Sequence, residues 1–338
     1  MLLRVLGTAA GGGIPQWNCA CPSCTGARAH PVRRRRHASL AVRAAEGRWY
    51  IVNATPDIGD QIEDCPPLLP APGTRRSPVA GIVLTDAELD HTLGIARLRE
   101  ADGFEVLATD AVRGALVTRL RLDAVLAPYT DLRWRALATE QVALAPAAAP
   151  AAAPAGGAPA DGAATPAAAG AVDEGCPIAV SAIPVSGKRP RYAAVDEEPD
   201  PNAAGRTGRA GDDHWSVALR ITDRTSGGTL LYAPAVATWS AELADAAADA
   251  DCVIVDGTFW DDEEPRRTGI GQRTATGMGH LPVVGPGGTA ERLAALSARC
   301  LYTHLNNTNP LVDPAAAEHR RLAEWGIEVA ADGMVIEL

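Results

Sequence analysis

Short runs of branched apolar residues recur along the chain, and most of them end in a turn or in a polar residue. Runs of about four to eight such residues are typical of buried β-strands. We interpret as strands Leu3–Leu6, Ser39–Val42, Trp49–Asn53, Val79–Leu84, Val106–Thr109, Ile178–Val185, Thr229–Pro234, Cys252–Gly257, Cys300–His304, Ile327–Ala330 and Met334–Leu338. Helices are predicted over Ala111–Leu122, Trp239–Ala248, Ala290–Arg299 and Pro314–Trp325. Strands and helices in this order indicate a layered α/β fold.

Two polar or low-complexity segments interrupt the pattern. Residues 145–171 are almost only Ala, Pro and Gly, so they have few large apolar groups to bury. We expect a mobile surface insertion without a catalytic role, since irregularly placed prolines would break the alternative, a helical arm. Residues 188–211 are charged and contain proline, which favours a lid or a crossing loop.

Composition and charge narrow the class of protein. The 338 residues, 47% of them hydrophobic, suit one large α/β domain or two smaller ones. A net charge of −10 gives no basic excess that would indicate nucleic acid as a partner. The run Met1–Gly7 is too short for a signal peptide, and no later run is long enough to span a bilayer. We therefore expect a cytoplasmic protein without a membrane partner; Arg33–Arg36 is either a solvated face or a site for an anion.

Three of the seven cysteines, Cys19, Cys21 and Cys24, lie within six residues. In a cytosolic protein such a cluster favours a metal over disulfides. Three thiolates this close can surround one tetrahedral ion, with a fourth ligand from elsewhere in the chain. Three small buried residues, or a redox role for Cys21 and Cys24, are the alternatives.

The strand Val79–Leu84 is followed by two acids, Asp86 and Glu88, and then by Asp90 and His91. Carboxylates and imidazoles at the end of a strand are ligands that a divalent metal uses. The alternative is a helix N-terminus that Asp86 or Asp90 caps, with His91 in solvent.

Two further buried strands end in polar residues, Asp256 and His304, and His280 lies in the glycine-flanked segment Gly277–His280. Sites assemble at strand ends in layered α/β folds, although any one histidine is as often structural as functional. Three other histidines are interpreted as solvated: His30, His37 and His319.

With these residues in place, the chain resembles the pyrroloquinoline quinone (PQQ) biosynthesis protein B family over nearly its whole length. The resemblance rests on separated segments in the same order, Leu6–Gly13, Pro15–Cys19, Asn53–Ile58, Ile82–Asp86 with Asp90–Thr92, Tyr232–Pro234, Asp256–Thr258, Met278–Leu281 and His304–Pro310. It implies a single metallo-β-lactamase domain over residues 1–338, an α/β fold built as a four-layer αββα sandwich with metal at one sheet edge. The Ala/Pro-rich insertion departs from the family pattern.

The resemblance also implies an altered metal site. Most members of that superfamily carry Thr-His-x-His-x-Asp-His, and the aligned segment 85–91 has Asp86 and Glu88 in place of the first two histidines. The acid that usually bridges two metals is Ala235 here. What remains is Asp90, His91 and His304, a set that resembles the facial triad of non-haem Fe(II). Asp86 and Glu88 are candidates for further ligands.

The family implies a second, structural metal. Its cysteine cluster is similar to a zinc site, which places Cys19, Cys21 and Cys24 on one ion. Asp332 is the first choice for the fourth ligand, because terminal strands of this fold lie near the N-terminal one, and His280 is the second.

For function, the resemblance implies an iron-dependent oxygenase that uses O2 to hydroxylate the tyrosine ring of a Glu-Tyr-derived PQQ precursor. His280 with Asp256 is expected to orient the substrate, to transfer a proton, or to add a ligand. One alternative is a carrier that binds PQQ or a precursor and moves it toward the periplasm. Another is a metal hydrolase. The presence of Asp86, Glu88 and Ala235 at positions where the superfamily has metal ligands argues against this alternative. A homodimer is one expectation for the assembly.

Overall fold

Fourteen strands form two seven-stranded sheets in the part of the chain that the computed structural model describes, residues 1–144, 176–194 and 214–338. The strands are β1 (Leu2–Gly7), β2 (Ser39–Ala45), β3 (Arg48–Val52), β4 (Val79–Val83), β5 (Gly103–Ala108), β6 (Asp131–Ala136), β7 (Val142–Ala143), β8 (Ile178–Ser186), β9 (Ser216–Asp223), β10 (Thr229–Ala233), β11 (Cys252–Asp256), β12 (Arg299–Thr303), β13 (Ile327–Val329) and β14 (Val335–Glu337). The first sheet has the order β14-β1-β2-β3-β4-β5-β6, and the second has the order β13-β12-β11-β10-β9-β8-β7.

The α-helices are α1 (Pro22–Ala29), α2 (Ile58–Glu63), α3 (Leu89–Thr92), α4 (Asp110–Thr118), α5 (Leu122–Leu126), α6 (Ala241–Ala248), α7 (Glu264–Arg267), α8 (Ala275–Met278), α9 (Ala290–Ala294) and α10 (Glu318–Glu324). Short 3₁₀ helices cover Pro31–Arg33, Pro66–Leu68, Leu93–Leu98, Arg191–Ala193 and Pro310–Val312. Within the described ranges, no helix has the length and apolar character that a membrane crossing requires.

Apolar side chains form three buried layers, which account for the packing of the sheets and helices. The central layer joins the inner faces of both sheets and includes Leu3, Leu40, Tyr50, Val180 and Leu219. The outer face of the first sheet is covered by α2, α4 and α5, and that of the second by α6, α9 and α10. The result is a four-layer αββα sandwich, as the family resemblance implies.

The two sheets are joined by backbone hydrogen bonds at the edge where several strands end. Val217 N donates to Thr85 O at 2.8 Å, and Leu305 N donates to Thr8 O at 2.8 Å. Because β4 runs parallel to its neighbours and β11 pairs in parallel with β12, their carboxyl ends meet at this edge. The fold therefore brings together the polar residues that follow β4, β11 and β12.

Some predicted elements differ from the observed ones. The helix predicted over Ala111–Leu122 is two helices, α4 and α5, because Arg121 between them has a left-handed φ of +53°. Strand β6 was not predicted, since its sequence alternates charged and apolar residues instead of forming an apolar run. The predicted insertion 145–171 lies outside the described residues, as does residue range 195–211 of the predicted lid.

Candidate metal centres

The segment after β4 is fixed by buried polar contacts. Asn53, which has a positive φ of +65°, donates from Nδ2 to Thr85 Oγ1 at 3.0 Å and accepts from Thr85 N at 3.0 Å. The next residue, Asp86, is buried and accepts from Glu88 N at 2.9 Å. Its other oxygen lies 2.7 Å from His91 Nδ1. Asp86 is thus held as a hydrogen-bond acceptor behind His91.

Three of the predicted ligands come together. Donor atoms of Asp90, His91 and His304 all lie within 4.8 Å of one another. Asp90 Oδ2 is 3.8 Å from His91 Nε2 and 3.6 Å from His304 Nε2. Both Nε2 atoms are buried and have no hydrogen-bond partner among the described residues. Buried polar atoms are rarely left without a partner, so this pair fits a site that holds a cation.

Charge and backbone conformation also distinguish this group. Burial alone would raise the pKa of Asp90, but the imidazoles of His91 and His304 outweigh burial and hold the pKa below its usual range. Burial lowers the pKa of His304, which favours the neutral ring that a metal requires. His304 also adopts a φ of +57°, and such strain in a non-glycine residue is concentrated at functional sites.

Thr258 and Asp256 orient His304 from behind. Thr258 Oγ1 lies 2.6 Å from Asp256 Oδ1 and 2.8 Å from His304 Nδ1. Because the threonine proton goes to the carboxylate, His304 Nδ1 must carry the proton that it shares with Thr258. The lone pair of His304 is then at Nε2. His91 Nδ1 likewise carries a proton, which it donates to Asp86 Oδ2. Burial would lower the pKa of His91, but the carboxylates of Asp86 and Asp90 outweigh it and raise the pKa to about 9, so a cation at Nε2 would take the place of a proton.

The predicted pair of His280 and Asp256 is formed. His280 Nδ1 lies 2.7 Å from Asp256 Oδ2, and the His280 ring stacks on His304 with centroids 5.7 Å apart. Burial would lower the pKa of His280, but the carboxylate of Asp256 outweighs it and raises the pKa. Donor atoms of Asp256, His280 and His304 are also within 4.8 Å of one another. Hydrogen bonds join His280 Nδ1 to Asp256 and His304 Nδ1 to Thr258, so we interpret this second group as a support for the first.

A cavity of about 280 Å³ opens beside the three donors. Besides Asp90, His91 and His304, it is lined by Ala10, Gly11, Gly12, Asp86, Glu88, Ser186, Lys188, Ser216, Ala235, Thr258, Phe259, Met278, Gly279, His280 and Asn306. Glu88 lines the cavity but is not in the group of three donors, and burial with the nearby Asp86 and Asp90 raises its pKa. Both Asp86 and Glu88 line the cavity outside the group of three donors, and Asp86 is engaged there with His91 Nδ1.

Lys188 was not singled out by the sequence analysis, yet it is the single lysine among the 338 residues. Its ammonium donates to Met278 O, close to His280. The sequence alone could have drawn attention to Lys188, because the other 30 of the 31 Lys and Arg residues are arginine.

His37 is not solvated, contrary to its interpretation from the sequence. Its side chain is 16% exposed and its Nδ1 lies 3.1 Å from Asp57 Oδ1. Both residues line a second cavity of about 620 Å³, on the other side of the loop that contains Gly12 and Gly13. The half-buried acid Asp57, at the start of α2, supplies the partner that the sequence pattern did not reveal.

The structure brings the side chains of the three clustered cysteines together. Donor atoms of Cys19, Cys21 and Cys24 lie within 4.8 Å of one another, at the start of α1, which the sequence analysis did not predict. Backbone N–H groups of Gln16, Cys21 and Cys24 point at the three sulfurs over 3.3 to 3.5 Å. These contacts stabilise thiolates, although burial raises the pKa of Cys21 to about 11 when no cation is near.

Neither predicted fourth ligand reaches the cysteines. Asp332 accepts from Thr8 Oγ1 at 2.6 Å and from Arg36 N at 2.7 Å, so its carboxylate is turned toward β1 and the start of β2. His280 lies at the other centre, with Asp256. The choice of Asp332 is corrected on this point: β14 does pair with β1, but that adjacency brings the acid to Thr8. The residue that contacts the sulfurs is Asn307.

Comparison with known proteins gives consistent matches. Residues 48–305 match the family described as "Beta-lactamase superfamily domain". The coenzyme PQQ synthesis protein B of Azoarcus sp. is 37% identical and that of Azotobacter vinelandii is 36% identical, each over 100% of both chains. The crystal structure of Zn(2+)-bound PqqB from Methylobacterium extorquens superposes with a TM-score of 0.79, at 29% identity over 100% of both chains.

Proposed function

The chain belongs to the coenzyme PQQ synthesis protein B family, and we propose that it acts in PQQ biosynthesis as an Fe(II)-dependent oxygenase. Its substrate in this proposal is a Glu-Tyr-derived precursor whose tyrosine ring is hydroxylated with dioxygen. The observation that carries the proposal is the pair of unpartnered Nε2 atoms of His91 and His304 beside Asp90 Oδ2.

Two imidazoles and one carboxylate form the donor set of mononuclear Fe(II) oxygenases, which leave positions open for dioxygen and substrate. Bound Fe(II) would supply the activation of dioxygen. Asp86 and Thr258 fix the rings of His91 and His304 through Nδ1, as outer hydrogen bonds do for metal-binding histidines. These residues make the site rigid before a cation or a substrate arrives.

The same residues argue against a hydrolase with two cations. Asp86 replaces a histidine ligand, and its carboxylate is occupied by His91, Thr85 and the backbone of Glu88. Ala235 lines the cavity where a bridging acid would be needed, and a methyl group binds no cation. A second ion therefore has no protein ligands at these positions.

His280 is placed to accept a proton from the phenol of the substrate. Its Nδ1 is engaged with Asp256, so Nε2 is the nitrogen that remains for the substrate in the cavity. The carboxylate of Asp256 stabilises the imidazolium that forms, which is the reason for its raised pKa. A phenolate is richer in electrons than a phenol, so its ring reacts more readily with an activated oxygen atom.

Lys188 is proposed to bind a carboxylate of the glutamate part of the precursor. The other charged side chains on the cavity wall include Glu88 and Asp90, which would repel such a substrate. The ammonium of Lys188 offers the opposite charge, and an exposed lysine can reach a ligand without losing all of its water.

The proposal is tested by loading the protein with Fe(II) without oxygen, adding a cross-linked Glu-Tyr substrate and a two-electron reductant, and then adding ¹⁸O₂. One oxygen atom enters a ring C–H bond as a hydroxyl group, while the second leaves as water with two electrons and two protons. We expect a product that carries one ¹⁸O atom per hydroxylation. Tight binding of PQQ to iron-free protein, without any labelled product, would instead favour the carrier.

A further inference from the structure

We propose that the second cavity, which His37 and Asp57 line, binds a small organic dianion, either a dicarboxylate or a phosphate monoester. The site is distinct from the oxygenase centre proposed above and does not depend on that activity. Its volume of about 620 Å³ is within the range of about 300 to 1,000 Å³ that is typical of small-molecule sites.

The wall of this cavity is rich in positive charge, although the whole chain has a net charge of −10. Besides His37, four of the lining residues are arginines, Arg4, Arg34, Arg35 and Arg36, against three aspartates. A cleft whose lining has an excess of one sign of charge attracts ligands of the opposite sign. The lining therefore indicates an anionic ligand.

Two of the three aspartates have a cationic partner within the cavity wall. Arg36 Nε donates to Asp64 Oδ2 at 2.8 Å, and His37 Nδ1 lies 3.1 Å from Asp57 Oδ1. Burial would lower the pKa of His37, but Asp57 outweighs burial and raises the pKa, which favours the charged ring. These two carboxylates are balanced by Arg36 and His37.

The third aspartate, Asp332, is linked to Arg35 through one hydroxyl group. Arg35 Nη1 donates to Thr8 Oγ1 at 2.9 Å, and Thr8 Oγ1 donates to Asp332 Oδ1 at 2.6 Å. The positive charge of Arg35 thus faces the carboxylate of Asp332, so no aspartate of the wall remains to balance the other two arginines.

Arg4 and Arg34 are the two guanidiniums without an acid partner. The Nε atom of the half-buried Arg4 is withdrawn from solvent and has no hydrogen-bond partner, and no acid of the described residues forms an ion pair with Arg4. Arg34 donates from Nε to Ala27 O at 3.3 Å, and it too lacks an ion pair with a described acid. Charged groups that are removed from water are normally paired, so both groups fit a site for an anion.

The number of unbalanced charges favours a dianion. A guanidinium can donate two parallel hydrogen bonds to a carboxylate or to a phosphate, and it remains charged at any physiological pH. A ligand with two negative charges balances Arg4 and Arg34 together, whereas a monoanion leaves one of them uncompensated. The cavity is larger than a single inorganic ion requires, so we expect the charged groups to be carried by an organic frame.

A glycine-rich loop separates this cavity from the candidate iron site. Gly12 lines both cavities. A Cβ atom at Gly11 would lie 3.5 Å from Asp90 Oδ2, and one at Gly13 would lie 3.2 Å from His37 Cε1. A dianion in the second cavity would therefore contact the loop on the side opposite Asp90.

The test is isothermal titration calorimetry of the full chain with glutarate and with glycerol 3-phosphate at constant ionic strength. Butyrate, which has one carboxylate, is the control for ligand charge. The variants are Arg4→Met and Arg34→Met. Arg33→Met is the matched control, because Arg33 precedes Arg34 but lies outside the lining, 3.7 Å from Asp313 Oδ1.

We expect the wild type to bind at least one of the two dianions, and to bind butyrate at least about tenfold more weakly than that dianion. Arg4→Met and Arg34→Met should each lower the affinity for the dianion at least about tenfold, and Arg33→Met should leave it unchanged. Arg4→Met should be at least as resistant to urea as the wild type without ligand, because the variant removes a charge that has no partner. If Arg4→Met does not fold, Arg34→Met decides the test.

Three results would overturn the proposal. The first is a wild type that binds neither dianion at millimolar concentration. The second is an equal loss of affinity in Arg33→Met and Arg34→Met, since general charge would then set the affinity. The third is a loss of binding in Lys188→Met but not in Arg4→Met, because the dianion would then occupy the cavity beside Asp90.

Discussion

Asp86 Oδ2 lies 2.7 Å from His91 Nδ1, so the acid that replaces a histidine of the superfamily motif is a hydrogen-bond partner of the remaining one. Both side chains are buried. The pair explains why His91 presents Nε2 beside Asp90. It also explains how the His91 ring is held in place although the site has fewer histidine ligands than the superfamily motif.

The contact predicts the effect of Asp86→Asn. The amide still accepts a hydrogen bond but lacks the negative charge that makes His91 more basic, so Fe(II) affinity should fall about 10- to 100-fold. The measurement is equilibrium dialysis with Fe(II) under anaerobic conditions. Glu88→Gln is the matched control, because Glu88 lines the same cavity outside the donor group. An equal loss of Fe(II) affinity in both variants would contradict this prediction, because it would show that the total negative charge around the cavity, and not the contact with His91, sets the affinity.

Lys188 gives a prediction about substrate binding. Replacement by Met keeps the length of the side chain and removes its charge, so KM for a carboxylated precursor should rise roughly tenfold. The turnover number should change little, because the ion pair is made in the ground state and in the transition state alike. Steady-state kinetics of Lys188→Met and Lys188→Arg measure this, with Arg191→Ala as the control. A fall in kcat at constant KM would contradict a role in binding.

Glu264 gives a prediction about pH. Its carboxylate accepts from Trp260 N at 2.6 Å and from Thr308 Oγ1 at 2.7 Å, and burial raises its pKa from 4.5 to about 7. A raised pKa in the folded state means that the protonated acid stabilises the fold below pH 4.5 and that this contribution is lost as pH rises through about 7. The Glu264→Gln variant has no carboxyl group to titrate at this position, so its unfolding free energy does not fall for this reason as pH rises.

Relative to Glu264→Gln, the wild type should therefore lose about 2 to 3 kcal/mol of unfolding free energy between pH 5 and pH 8. Urea unfolding at the two pH values measures the difference, and the exposed neighbour Glu263→Gln is the control. A gap between wild type and Glu264→Gln that is the same at both pH values would refute the assignment.

The sequence predicted the parts of the site that follow long apolar runs. Val79–Leu84, Cys252–Gly257 and Cys300–His304 are strong strand patterns, so the polar residues at their ends could be placed at one sheet edge. The resemblance to a known family supplied the fold and connected His304 with Asp90. The cysteine cluster could also be predicted, because its three residues are close together in the sequence and no knowledge of tertiary contacts was needed.

Other parts depend on contacts that sequence spacing does not encode. The prediction that the terminal strands lie beside the N-terminal one is confirmed for β14 and β1. It did not determine which residue Asp332 contacts, and the Asp332 carboxylate accepts a hydrogen bond from Thr8. Thr258 and Asn307 act through side-chain contacts across 46 and 288 residues. The run of asparagines after His304 was a signal for a polar loop, yet nothing in it indicated the cysteines as partners.

The most direct measurement of the central claim is anomalous diffraction at the iron edge from crystals loaded with Fe(II) without oxygen. The account predicts one iron peak between Asp90 Oδ2 and the Nε2 atoms of His91 and His304, and its loss in His304→Ala. Iron that is absent from this position in loaded, folded protein, or found only at the cysteines, would contradict it.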